Sequence, residues 1–184
     1  MKKLFVISII FLISLGCSYK AVEEVTLEKI TPNMSQFSIE DLVSVGFKKN
    51  KTYKVDELPN ALGAYFGFVK VNEPSRDRKT KKAIEYEVRI YDSHDNAINY
   101  GLEFAKERVG PNAKLKKDEA TWKEGLVYAR LCLGDAFNTW KNSADCGQPK
   151  FNEFYVYGNL IILCEGRTRD ESINNCNLLL SRLE

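Results

Sequence analysis

The one histidine of the chain, His94, lies in the run Asp92-Ser93-His94-Asp95. These are the residue types of a hydrolase triad, in which a hydroxyl nucleophile, an imidazole base and an orienting acid converge on one proton path. Adjacent residues at a helix start splay apart instead of converging. Ser93 as a cap and Asp95 in the first turn are accounted for by helix physics alone. Without a second histidine, acid–base chemistry falls to carboxylates such as Glu85, Glu87, Asp135 and Glu165. Glu85 and Glu87 share one face of a strand about 7 Å apart, not far from the carboxylate spacing of glycosidases. Alternating acids opposite an apolar face are also the ordinary solvent side of a sheet, and that is the reading taken for Glu85, Glu87 and Arg89. GxGxxG, GxxxxGK followed by Ser or Thr, HExxH, GxSxG and CxxC do not occur, so neither a cofactor nor a metal is expected.

Residues suited to binding are easier to name. Arg76, Arg78, Lys79, Lys81 and Lys82 form the densest charged run, between two apolar segments. Such a run is solvated in the ordinary case and attracts anionic headgroups or an acidic partner in the functional one. Lys48, Lys49 and Lys51 extend it if the fold brings them together. Phe137 and Trp140 occupy a polar loop from Gly134 to Lys141. Aromatics on a rigid loop lose little entropy on binding, and they serve equally to cap a core. Tyr65, Phe66, Phe68, Tyr155 and Tyr157 offer a groove for a small ligand, with core packing as the alternative. Nucleic acid is not an expected partner, because 27 Lys and Arg stand against 25 Asp and Glu and the excess is carried by Lys2 and Lys3.

The elements that position these residues read as an α+β domain. Ser38 and Gly46 bracket a short helix. Residues 64–71 and 84–91 are strands, the second alternating Ile84, Tyr86, Val88 and Ile90 with polar residues. Ser93 caps a helix carrying Ala97, Ile98, Leu102, Ala105 and Val109, stopped by Gly110-Pro111. A charged connection at 114–119 leads to a strand at 125–133 and a long loop to Pro149. Residues 154–164 read as one buried strand with a bulge at Gly158-Asn159. A last helix starts at Thr168 or Arg169. Both halves thus run strand, strand, helix, giving an antiparallel sheet covered by two helices, a ββα-ββα pseudo-repeat accounted for equally by duplication and by shared capping rules.

The N-terminus carries an address. Lys2 and Lys3, the apolar stretch Leu4 to Leu15 and Gly16 have the layout of a signal peptide, and twelve helical residues cover about 18 Å, too short for a bilayer core. Ser14-Leu15-Gly16-Cys17 resembles the lipobox of bacterial lipoproteins, with Ser14 where that family prefers leucine. The resemblance implies cleavage after Gly16 and lipidation of Cys17, leaving residues 1–16 as signal peptide, 17–33 as a lipidated tether and 34–184 as a single domain. Cys132, Cys146, Cys164 and Cys176 remain, an even number in an exported chain, with three connectivities. The two local pairings, Cys132–Cys146 and Cys164–Cys176, are favoured, the second tying a strand to the following helix. The expectation is a membrane-anchored, extracytoplasmic, non-enzymatic module that binds a protein partner or an envelope component. A small-ligand carrier and a carboxylate hydrolase are the alternatives.

Overall fold

The computed structural model describes residues 28–33, 35–73, 80–133 and 145–184, with backbone only at 73, 80, 133, 145 and 146. In chain order the elements are β1 (Ile30–Thr31), α1 (Ile39–Ser44), β2 (Phe47–Tyr53), β3 (Ala61–Glu73), β4 (Thr80–Tyr91) and α2 (His94–Asn96). A π-helical turn (Ala97–Gly101) then joins α2 to α3 (Leu102–Arg108), followed by β5 (Arg130–Leu133), β6 (Asp145–Pro149), β7 (Phe151–Tyr157), β8 (Leu160–Glu165) and α4 (Arg169–Leu180).

Six strands form one sheet in the order β1-β7-β8-β4-β3-β2, and β5 pairs with β6 apart from it. The architecture is α+β, but the sheet is mixed rather than antiparallel, because β1 runs parallel to β7. Ile30 and Thr31, assigned to the tether by sequence, thus form an edge of the sheet. The other edge, β2, buries only Phe47 and Tyr53, and the lysines between them are exposed. Charged side chains on an edge strand discourage pairing with other chains. At β7 the backbone N–H groups of Asn152, Phe154 and Val156 are taken up by Ser172 Oγ (3.1 Å), Glu153 Oε1 (3.0 Å) and the Lys29 carbonyl (2.9 Å).

Alternation along β4 and β8 sends side chains into two cores. Ile84, Tyr86, Val88, Ile90, Ile162 and Cys164 meet Leu42 of α1 and Cys176, Leu179 and Leu180 of α4. Tyr91, Ile161 and Leu163 meet Ala97, Ala105, Leu115, Trp122 and Ala129 on the opposite face. The two main helices therefore cover opposite faces. This overturns the solvent-side reading of Glu87 and Arg89, both 0% exposed, because the 109–129 segment lies over that face and Trp122 closes it.

Two further corrections concern strand limits. Residues 125–129 are turns, and only Arg130–Leu133 is strand. The run 154–164 is a hairpin: Tyr157 pairs with Leu160, and Gly158 turns the chain at φ +55°. A two-residue hairpin loop calls for a positive φ that glycine supplies without strain. Asn159 holds the corner by donating to the Phe37 and Tyr91 carbonyls at 2.9 and 2.8 Å.

Candidate functional site

Asp92-Ser93-His94-Asp95 does not assemble a triad. Ser93 Oγ accepts from Asn96 N at 3.2 Å as the N-cap, and Asn96 Nδ2 donates to Asp92 Oδ1 at 2.5 Å. His94 Nδ1 lies 2.8 Å from the Gly158 carbonyl, which only accepts, so this nitrogen carries the proton. The three side chains serve the helix start and the β7–β8 corner.

The most concentrated chemistry lies where the sequence expected solvent. Arg89 donates from Nε and Nη2 to Glu87 Oε1 at 2.9 and 2.7 Å, and Arg108 Nη1 donates to Glu87 Oε2 at 3.2 Å. Arg108 also donates to the carbonyls of Glu124 (3.0 Å) and Trp122 (2.8 Å). Both guanidinium groups stack on the Trp122 ring, 4.8 and 5.1 Å from its centroid. Burial pulls Arg108 below its ordinary value, and the Glu87 carboxylate opposes that pull. Tyr53 and Tyr91 border the cluster. Burial pushes Tyr91 up to about 12 and Tyr53 higher still, so both are neutral phenols. The cluster pins the end of α3 and the 122–124 loop to β4 through one shared carboxylate. Sequence reading missed Arg108 and Trp122 as members. The available signal was a Glu and an Arg two apart on a strand, with a tryptophan in an otherwise charged connection.

Glu85 and Glu165 meet at the open end of the same face. Glu85 N donates to Glu165 Oε2 at 2.7 Å, and Lys150 is ion-paired with Glu85. Burial raises Glu165 above the ordinary glutamate value, and the charge of Glu85 adds to it against the Glu85 backbone bond, Lys150 and Lys82. Glu153 is the opposite case. Burial pushes it up, but Lys29, the Phe154 N–H and Arg169 outweigh that and hold it below the ordinary value. Glu153 thereby ties the entering chain at Lys29 to the start of α4.

Of the basic run, Lys81 and Lys82 are described, while Arg76, Arg78 and Lys79 lie outside the described residues. Lys82 pairs with Glu171 of α4 at 3.3 Å. β2 ends short of the run, its last pair being Phe47 with Val69, and Lys48 stands opposite Phe68, two positions from the level of Lys70. Phe137, Trp140, Asp135 and Cys17 lie outside the described residues, as does the side chain of Cys146. The aromatic set is divided: Phe66 packs in one core against Tyr128, and Tyr155 and Tyr157 in the other. Cys164 and Cys176 form a disulfide between β8 and α4. Cys132 is also disulfide-bonded, and the strand that carries Cys146 lies across from it. Among the described residues, no group of three or more His, Cys, Asp or Glu side chains is placed to hold a metal, and no helix is long and apolar enough to cross a membrane.

The sequence matches the family described as "Family of unknown function (DUF6810)" over residues 38–184. The chain belongs to the DUF6810 family. The match begins at Ser38, the N-cap of α1, so the DUF6810 unit includes both cores, the Glu87 cluster and the Cys164–Cys176 disulfide, and leaves out β1. No curated protein and no solved structure matches the chain.

Proposed function

We propose that this DUF6810 protein is exported, lipid-anchored through Cys17 to the extracytoplasmic face of a bacterial membrane, and acts there without catalysis as a binding module for a protein partner or an envelope component. The observation that carries the reading is the disulfide joining Cys164 of β8 to Cys176 of α4. Disulfides persist in oxidising compartments outside the cytosol. A cross-linked domain behind an export leader that ends in a lipobox cysteine accounts for both features at once. Residues 18–27 are the tether in this reading, Cys132 pairs with Cys146, and Phe137 and Trp140 serve recognition. The ββα-ββα relation is kept in this reading with its second half moved from the strands expected at 125–133 and 154–164 to the hairpin β7–β8, each hairpin being followed by a helix capped by a hydroxyl, Ser93 and Thr168.

A second reading, a carboxylate hydrolase, is favoured by the contact between Glu85 and Glu165, where one carboxyl is raised by burial and its neighbour is ion-paired. The Glu87 carboxylate is engaged by two arginines that hold the fold, so this second reading rests on Glu85 and Glu165 alone.

The test is the mass of the N-terminal peptide of protein purified from the envelope. Lipidation leaves Cys17 as the first residue with a thioether-linked diacylglycerol. An uncleaved leader or a free Cys17 thiol would refute the anchor.

A further inference from the structure

The sheet register points the basic hairpin and the entering chain toward the same end of the molecule. β3 pairs with β2 only from Ala64 to Val69, and β4 with β8 only from Tyr86 to Ile90. The remaining pairs, Lys70↔Ala83, Val71↔Lys82, Asn72↔Lys81 and Glu73↔Thr80, continue past both neighbours as a two-stranded ribbon. Four strand residues carry it about 13 Å beyond the sheet. It leaves from the end where Phe151 faces Glu165. β1 runs parallel to β7, and the Lys29 side chain already reaches back to Glu153 and Phe154. β1 therefore enters the sheet from that same end.

Strand alternation sorts the ribbon's cations. Lys82 lies on the α4 face and is paired with Glu171. Lys70 and Lys81 lie on the other face, with Phe68 and, from β2, Lys48. Lys48, Lys70 and Lys81 are exposed, Phe68 is half-buried, and the Lys70 ammonium stands 6.0 Å from the Phe68 ring centroid. Lysines around a partly exposed aromatic suit a membrane interface, where the ring sits at headgroup level and the ammonium groups meet phosphate.

We infer that this face, with Lys81 and Lys70 on the ribbon and Lys48 opposite Phe68 at its base, is a contact site for anionic phospholipid headgroups. The inference rests on the lipid-anchor reading for its geometry. The ten residues that separate Cys17 from Glu28 span roughly 40 Å at most when extended, so an anchored chain keeps this end of the sheet close to the bilayer. The contact adds a second, charge-dependent attachment to the lipid one.

The experiment is sedimentation of the full chain with vesicles of phosphatidylcholine alone and of phosphatidylcholine mixed equally with phosphatidylglycerol. The leader with its Lys2 and Lys3 is common to all samples, so the readout is the difference between wild type and variant in their preference for the anionic composition. The expected result is tighter binding to the anionic vesicles, weakened by salt, and a loss of about a hundredfold of that preference in the variant K48A/K70A/K81A with an unchanged thermal transition. K51A, on the same edge strand but further from the ribbon, keeps the preference. Equal binding to both compositions, an undiminished preference in the triple variant, or capture by polyglutamate in place of anionic vesicles would overturn the proposal. None of these outcomes depends on whether Cys17 is acylated, so failure here is distinguishable from failure of the anchor reading.

Discussion

Replacing Glu87 with leucine removes the one carboxylate that Arg89 and Arg108 share and leaves two guanidinium groups buried beside each other. Breaking a buried pair by deleting one partner costs about 3–5 kcal/mol, because the remaining charge stays out of water. Urea denaturation of Glu87→Leu is expected to lose that much unfolding free energy; a loss below about 1 kcal/mol would mean that the cluster does not hold α3 to the sheet. Glu165 gives a pH signature. Its carboxyl is raised above the ordinary glutamate value chiefly by burial, so the folded state holds this proton more tightly than the unfolded chain. Below the ordinary value the group costs nothing, and its cost grows as pH rises through that value toward the raised one. Glu165→Gln, which still accepts from Glu85 N, is expected to gain stability relative to wild type across that interval. A difference independent of pH would contradict the assignment. Residue-scale legibility was uneven for a physical reason. Ser93 and Thr168 were readable as caps because capping is local, whereas Glu87 and Arg89 obey the same period-two pattern whether water or Trp122 covers them.

At the scale of elements, α4 is held by apolar packing, by its cap and by one covalent link. Thr168 Oγ accepts from Glu171 N at 3.2 Å, Ser172 Oγ donates to the Cys164 carbonyl at 3.0 Å, and Cys176 is bonded to Cys164. The disulfide closes a short loop, so it contributes roughly 2–4 kcal/mol, mainly by restricting the unfolded chain. The double replacement Cys164→Ala and Cys176→Ala is expected to cost that amount, read from the shift in urea midpoint at unchanged slope. A midpoint shift near zero would show that packing alone fixes α4. The pairing was legible because the cysteines are close in sequence. The hairpin in 154–164 was not, since a continuous apolar run fits one buried strand or two, and only the φ of Gly158 decides. β2 escaped notice because its lysines hide a strand whose buried residues, Phe47 and Tyr53, stand at its two ends. Residues 125–129 have strand-like composition, but Gly125 at φ +69° begins a series of turns there.

Over the whole molecule, the two faces of one sheet carry different tasks. The α4 face is an apolar core closed by a disulfide, and the α3 face packs its apolar core around a buried charge cluster and opens toward the Glu85–Glu165 contact and the ribbon lysines. The α+β class was legible from periodicity, while the covering of both faces was not, because Leu115 and Trp122 reach the sheet from a segment with no regular structure. Glu153 joins Lys29, just before β1, to β7 and to the start of α4. We propose that a lipid on Cys17 holds this body on a membrane. In cell fractionation of wild type beside Cys17→Ala, the wild-type protein is expected in the membrane fraction and the variant in the soluble fraction; retention of Cys17→Ala at the membrane after a high-salt wash would overturn the anchor.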